Sequence, residues 1–163
     1  MREIPYLHRR GELPPSLLSL PLLARLNEPG RDEILRHATL LECEMDDNIV
    51  RECDSSDAFY ILLKGALRVR KGRQDIASIR TPGEIFGEMG LLRDEPRSAT
   101  VTAAEHAFIL KIGAGFRDSF DTLAGARASA LVLRFIAESL AERLETTSQR
   151  LTGRESATPV YRI

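Results

Sequence analysis

Glu88 and Arg97 are the two side chains whose types and spacing best suit ligand binding, and both lie in one short stretch between apolar runs. Arg97 is a permanent cation, and its planar guanidinium matches the oxygens of a phosphate. Glu88 repels a phosphate, so its useful partner is a hydroxyl donor such as a ribose 2′-OH. The pair therefore predicts a site for one anion and one neighbouring hydroxyl, which is the pattern of a ribose cyclic phosphate.

The residues around this pair suit the same ligand. Gly87 and Gly90 permit backbone geometries and a close ligand approach that a side chain would block. A short helical turn over residues 88–92 would present free amides to an anion. Ser98 adds a hydroxyl beside the arginine, and the amides of Ser98 and Ala99 can point the same way. The alternative is a polar turn in which the acid and the base form a solvated ion pair of little energetic value.

The segment from Phe86 to Val101 resembles the phosphate-binding cassette of the cyclic nucleotide-binding domain family. In that family a Gly-Glu pair and an Arg-Ser/Thr-Ala triplet surround the nucleotide. The resemblance implies that Glu88 binds the ribose hydroxyl and Arg97 the cyclic phosphate. It also implies supporting ligand contacts from the rest of the cassette, which are Phe86, Gly87, Met89, Gly90, Ser98 and Ala99.

Short apolar runs separated by turn residues predict a mainly β fold with flanking helices. Residues 58–69 are interpreted as two strands around a glycine turn, Lys71-Gly72-Arg73 as a hairpin loop, and Ala107–Ile112 as a closing strand. The family resemblance covers roughly residues 20–152. It implies an antiparallel jelly-roll β-barrel with N-terminal helices and a long C-terminal helix.

The chain is expected to form one domain with two short flanking segments. These are an irregular N-terminal extension over residues 1–15, the nucleotide-binding domain over 16–152 with its C-terminal helix at about 126–152, and a tail over 153–163.

One departure from the family pattern lies upstream of the cassette. Family members carry turn glycines at two places where this sequence has Asp46 and Cys53. Asp tolerates the left-handed conformation moderately well, and Cys does so less readily. The departure concerns these local turns and leaves the ligand segment unchanged.

The C-terminal helix carries an apolar stripe at steps of three to four residues, formed by Leu133, Ile136, Leu140, Leu144 and Leu151. Such a stripe either packs on the barrel or pairs with its copy in a homodimer, and both alternatives stay open. Relatives that resemble catabolite-gene activators carry a Thr-Ser pair where this helix has Thr147 and Ser148. The resemblance implies that these two hydroxyls read the base, which favours cyclic AMP over cyclic GMP. The alternative is a pair of solvated or capping side chains. Ser98 leaves the other base open, because a Thr or Ser at its place bonds the guanine amino group in relatives that prefer cyclic GMP.

Composition and charge exclude several function classes. The formal net charge is −1, so the chain has no overall attraction to DNA or to an anionic membrane. The apolar runs are too short to span a bilayer, which predicts a cytoplasmic protein. Cys43 and Cys53 match no metal or redox spacing, and His8, His37 and His106 are scattered. We therefore expect no metal and no cofactor.

The prediction is a stand-alone receptor for cyclic AMP, or cyclic GMP, that signals to an unknown protein partner through movement of its C-terminal helix. Only residues 153–163 follow that helix, so no DNA-binding domain is expected. No Ser-His-Asp, Cys-His or HExxH arrangement points to catalysis, and we expect no enzyme. One alternative is an interaction module with a non-functional nucleotide pocket. Another is a barrel enzyme of the cupin type, which would need clustered metal ligands.

Overall fold

A computed structural model describes residues 1–5, 14–55, 57–93, 95–113, 115 and 122–152. Within these residues the strands are β1 Arg2–Pro5, β2 Ala38–Cys43, β3 Asn48–Val50, β4 Ala58–Lys64, β5 Leu67–Lys71, β6 Gln74–Ile79, β7 Ile85–Phe86, β8 Thr100–Ala103 and β9 Ala107–Gly113. The helices are α1 Pro15–Leu18, α2 Pro21–Ala24, α3 Glu28–Leu35, α4 Glu88–Arg93 and α5 Leu123–Thr152.

The strands form two antiparallel sheets, which is the mainly β class that the sequence predicts. One sheet has the order β1-β2-β9-β4-β7 and the other the order β3-β8-β5-β6. Inward-facing side chains of both sheets, such as Leu62 and Leu67, share one buried core. This double-sheet arrangement is typical of jelly rolls. The predicted hairpin is confirmed, because β5 pairs with β6 across Gly72 and Arg73.

Strand β4 is buried on both faces because each face packs against a different layer. Tyr60 and Leu62 point into the core between the sheets. Phe59 and Ile61 point the other way, into a second core shared with the helices. Residues of a strand alternate between its two faces, so a strand that is covered on both sides is apolar throughout.

The first half of α5 is packed into that second core. Val132 and Ile136 are fully buried, and Leu140 packs against the cluster from its edge. Farther along, Leu144 is 68% exposed. Two members of the predicted stripe, Ile136 and Leu140, therefore pack on the domain, which is one of the two alternatives, whereas Leu133 is not among the described residues of that core. The second half of α5 extends beyond that core.

Asp46 and Cys53 adopt the left-handed backbone conformation that the sequence expected at these two turns, with φ of 68° and 69°. Gly65, between β4 and β5, has a φ of 97°, and a Cβ there would lie 2.6 Å from the carbonyl oxygen of His106. Only glycine fits this turn, because the neighbouring backbone occupies the space.

The N-terminal part differs from the expectation. Residues 1–15 were expected to be irregular, but Arg2–Pro5 form β1 and pair with β2 at the edge of a sheet. The implied N-terminal helices include α1 and α2, which are separate because Pro21 has no amide hydrogen with which to continue α1 and instead begins α2. The expected tail over 153–163 lies outside the described residues. None of the helices in the described ranges is long and apolar enough to cross a membrane.

Candidate functional site

A cavity of about 830 Å³ lies between β6, the start of α4, the segment 97–99 and the second half of α5. Eight residues that the sequence assigned to ligand binding line it, namely Phe86, Gly87, Glu88, Met89, Arg97, Ser98, Ala99 and Thr147. Ser148 in α5 is not among the described residues that line the cavity, and Gly90 lies within α4. The fold thus brings together two segments that are far apart in the chain.

Arg97 is buried and held from several sides, with 6% of its surface exposed. Its Nη1 donates to the carbonyl oxygen of Gly87 at 2.6 Å, and its Nη2 donates to that of Ala58 at 2.8 Å. The guanidinium also lies over the ring of Tyr60, with Cζ 5.4 Å from the ring centroid. A guanidinium has five donor hydrogens. These contacts therefore fix the group while donors remain for an anion in the cavity.

The backbone of Arg97 is fastened to the turn after β3. The amide of Cys53 donates to the Arg97 carbonyl at 2.9 Å, and the Arg97 amide donates to the Asp54 carbonyl at 2.9 Å. The left-handed conformation at Cys53 shapes this turn. The ligand segment is thus held at its main chain as well as at the arginine side chain.

Glu88 is the first residue of α4, and 4% of its surface is exposed. Its Oε1 accepts a hydrogen bond from Nη1 of Arg143 at 3.0 Å. Burial raises the pKa of the Glu88 carboxyl, and the positive charges of Arg143 and Arg97 oppose this rise. The carboxylate has two acceptor oxygens, so a ligand hydroxyl can bind beside Arg143.

Arg143 connects α5 to the loop that carries Glu88. Besides Glu88 it contacts the carbonyl oxygen of Ile85, and it lies 4.0 Å from Oε1 of Glu84. The sequence predicts no role for Arg143. The only available signal was its position one helical turn before Thr147, which places both residues on one face of α5.

Thr147 on α5 and Ser98 beside Arg97 are two of the hydroxyl-bearing residues that line the cavity. Thr147 Oγ1 donates to the Arg143 carbonyl at 2.7 Å, and the hydroxyl oxygen can still accept a hydrogen bond. Ser98 is exposed and follows Arg97 directly.

A second contact fastens α5 near the middle of the helix. The Arg25 guanidinium, just after α2, forms an ion pair with Glu138 and lies 4.9 Å from the ring centroid of Phe135. Arg25 and Arg134 lower the pKa of the Glu138 carboxyl through their hydrogen bonds to it. Arg25 and Arg143 thus connect α5 to different parts of the domain.

No group of three His, Cys, Asp or Glu side chains suited to a metal ion occurs among the residues that the structure describes. Cys43 is buried, and burial raises the pKa of its thiol to about 11.

Comparison of this chain with known proteins shows which domain family it resembles. Residues 40–123, just over half of the chain, match the family model described as the cyclic nucleotide-binding domain. A cGMP-dependent protein kinase of Toxoplasma gondii is 33% identical over 124 residues, which are 76% of this chain and 12% of that protein. A cAMP-dependent protein kinase regulatory subunit of Yarrowia lipolytica is 31% identical over 118 residues, which are 72% of this chain and 31% of that protein.

Solved structures agree with this match. The catabolite activator protein of Thermus thermophilus superposes with a TM-score of 0.63 and 29% identity, covering 83% of this chain and 63% of that one. The chain spans 12% and 31% of the length of the two kinase-related proteins, so it corresponds to one part of each.

Proposed function

The chain belongs to the cyclic nucleotide-binding domain family, and we propose that it is a cyclic nucleotide receptor that favours cyclic AMP over cyclic GMP and signals to a protein partner. The observation that carries the proposal is the joint burial of Glu88 and Arg97 on one cavity. Isolated buried charges are costly, so proteins retain them where they have partners or bind a ligand.

Each part of the nucleotide has a partner in this proposal. Arg97 binds the cyclic phosphate, with the Ser98 hydroxyl and the Ala99 amide beside it. The Glu88 carboxylate accepts a hydrogen bond from the ribose 2′-OH. Both side chains are already held by the surrounding protein, which reduces the entropy that the ligand must overcome on binding.

The preference for cyclic AMP rests on Thr147, which lines the cavity from α5. Its hydroxyl oxygen is an acceptor for the amino group of adenine. One relative is a cAMP-dependent kinase subunit and another a cGMP-dependent kinase, so the family accommodates either base. A tenfold preference requires only about 1.4 kcal/mol, which is close to one hydrogen bond.

We propose that Arg143 transmits ligand binding to α5. A ribose hydroxyl that approaches Glu88 meets a carboxylate that already holds Arg143 at 3.0 Å. The ligand then changes the energy of this contact and with it the position of the second half of α5. Such a switch works only if the nucleotide binds the two arrangements of the helix with different affinities.

Further parts of the proposal concern the whole protein. We assign it no catalytic step, a cytoplasmic location, and an output surface formed by α5. This surface binds either an unidentified protein partner or a second copy of the chain. Leu144, which is 68% exposed on α5, is available for such a contact.

One observation favours a second candidate, an interaction module whose pocket binds no nucleotide. Glu88 and Arg97 both have partners within the protein, in Arg143 and in the carbonyl groups of Gly87 and Ala58. In that case these contacts stabilise the fold and serve no ligand.

Calorimetric titration with cyclic AMP and cyclic GMP distinguishes the two candidates. We expect Arg97→Ala to lose about 1.5–3 kcal/mol of binding free energy, because a charge-assisted contact with the phosphate disappears. The matched control is Arg73→Ala, which removes an exposed arginine from the β5–β6 hairpin, away from the cavity. Equal affinities of the two variants would contradict the proposed site.

A further inference from the structure

We propose that Tyr60 is a positioning residue, whose ring holds the Arg97 guanidinium in the orientation that binds the phosphate. For its effect on affinity this inference rests on the proposed function. Its structural part concerns the protein without nucleotide and stands independently.

The ring of Tyr60 lies against the guanidinium from within the core. Tyr60 belongs to β4 and is 6% exposed, and its ring centroid lies 5.4 Å from Cζ of Arg97. A cation over an aromatic face is attracted by the electrons of the ring, more strongly where water is excluded. Arg97 is itself 6% exposed, so this contact is largely desolvated.

A second aromatic ring keeps Tyr60 in place. Phe86 on the neighbouring strand β7 stacks on Tyr60, with ring centroids 5.0 Å apart and an angle of 13° between the planes. The two residues are direct partners in the β4–β7 pairing. Phe86 is 3% exposed, so neither ring can turn away without opening the core.

The backbone at Gly87 closes the remaining side of this arrangement. A Cβ on Gly87 would lie 2.8 Å from Nη1 of Arg97 and 3.0 Å from Cδ2 of Tyr60. The glycine thus allows the loop to approach the guanidinium and the ring together. The carbonyl bonds fix the positions of the two terminal nitrogens, and the ring face fixes the tilt of the guanidinium plane.

The phenol remains neutral in this position. Burial raises the pKa of the Tyr60 hydroxyl, although the Arg97 charge and a hydrogen bond with the Arg97 side chain oppose the rise. The face that meets Arg97 is therefore that of a neutral ring at physiological pH. A phenylalanine presents the same face without the hydroxyl, so Tyr60→Phe separates the contribution of the ring, which we expect to be retained, from that of the hydrogen bond with Arg97.

The first experiment uses the nucleotide-free protein and records arginine Nε–Hε signals by NMR, with the Arg97 signal assigned through Arg97→Lys. We expect this signal to carry a ring-current shift that persists in Tyr60→Phe and disappears in Tyr60→Leu. The control is Phe59→Leu, which truncates a buried ring on the opposite face of β4. An Arg97 signal unchanged in Tyr60→Leu overturns the inference whether or not the protein binds a nucleotide.

The second experiment measures cyclic AMP affinity of the same variants by calorimetry, with titrations extended to millimolar nucleotide. We expect Tyr60→Leu to weaken binding roughly tenfold to thirtyfold and Tyr60→Phe to bind like the wild type. In an Arg97→Ala background, Tyr60→Leu should have no further effect, because the two residues act as one unit. Equal effects of Tyr60→Leu in both backgrounds would contradict the positioning role. Absence of binding by the wild type would instead contradict the proposed function.

Discussion

Glu88 places a carboxylate where little water reaches it, and this has a cost as well as a use. Burial raises its pKa, so the charged form is less stable in the folded protein than in the unfolded chain. Arg143 offsets part of this cost through a hydrogen bond. In the proposed function the charge is useful, because a carboxylate accepts a stronger hydrogen bond from the ribose hydroxyl than a neutral group does.

Replacing Glu88 by Gln should therefore stabilise the protein and weaken nucleotide binding. The folded chain holds the Glu88 proton to a higher pH than the unfolded chain, so the stability due to Glu88 is full below its ordinary pKa and falls as pH rises through the folded value. The difference in Tm between Glu88→Gln and wild type should be small at about pH 4 and larger at about pH 7. Binding should weaken by about 1.5–3 kcal/mol.

The control for this experiment is Glu105→Gln, which neutralises an exposed carboxylate outside the cavity. Thermal melts of the three proteins across this pH range provide the measurement. A Tm difference that does not change with pH would show that burial of the Glu88 charge is not what costs stability.

The sequence pattern singles out the charged residues of the cassette but not the residues that contact them. Glu88 and Arg97 carry a recognisable local pattern, and the structure places both on one cavity. Arg143 and Tyr60 carry no such pattern. Arg143 meets Glu88 from 55 positions away, and Tyr60 meets Arg97 from strand β4. Contacts of this kind depend on the tertiary fold, which local spacing does not encode.

Helix α5 has two halves with different surroundings. Its first half is buried against α3 and the second core, where Ala128 packs close to Gly30. Its second half contacts the domain mainly through polar groups, with Arg143 bound to Glu88 and Ile85. Polar contacts at a partly exposed surface open more readily than a buried apolar core. We therefore expect a ligand to change the position of the second half of the helix.

Hydrogen–deuterium exchange tests this division. Cyclic AMP should change amide exchange over residues 138–147 and leave residues 128–134 unchanged, because the former include residues that line the cavity and the latter do not. In Arg143→Ala the nucleotide should no longer change exchange in the second half, even if it still binds. Identical exchange with and without bound nucleotide throughout α5 would contradict the proposed transmission.

The elements themselves were predicted with uneven success, for physical reasons. The turns at Asp46 and Cys53 were expected from the family pattern, and both have positive φ. The strand Arg2–Pro5 was missed because edge pairing with β2 holds it and its own sequence has no clear alternation. The order of strands within each sheet also did not follow from the sequence, since it depends on pairings between distant residues.

Over the whole molecule, the two cores hold different parts of the domain in place. The core between the sheets contains the stacked rings of Tyr60 and Phe86, and Phe86 lines the cavity. The core under the helices anchors the first half of α5. The cavity lies where the segments fixed by these two cores meet. Residues of the cassette and of the second half of α5 both line it, so we expect a nucleotide bound there to contact both.

Calorimetric titration of the unmodified chain with cyclic AMP, repeated with cyclic GMP, measures directly whether the chain is a cyclic nucleotide receptor. We expect saturable binding of one nucleotide per chain, with cyclic AMP bound more tightly than cyclic GMP. Tighter binding of cyclic GMP would contradict the assignment of the base while leaving the site in place. A flat titration with both nucleotides would contradict the receptor itself.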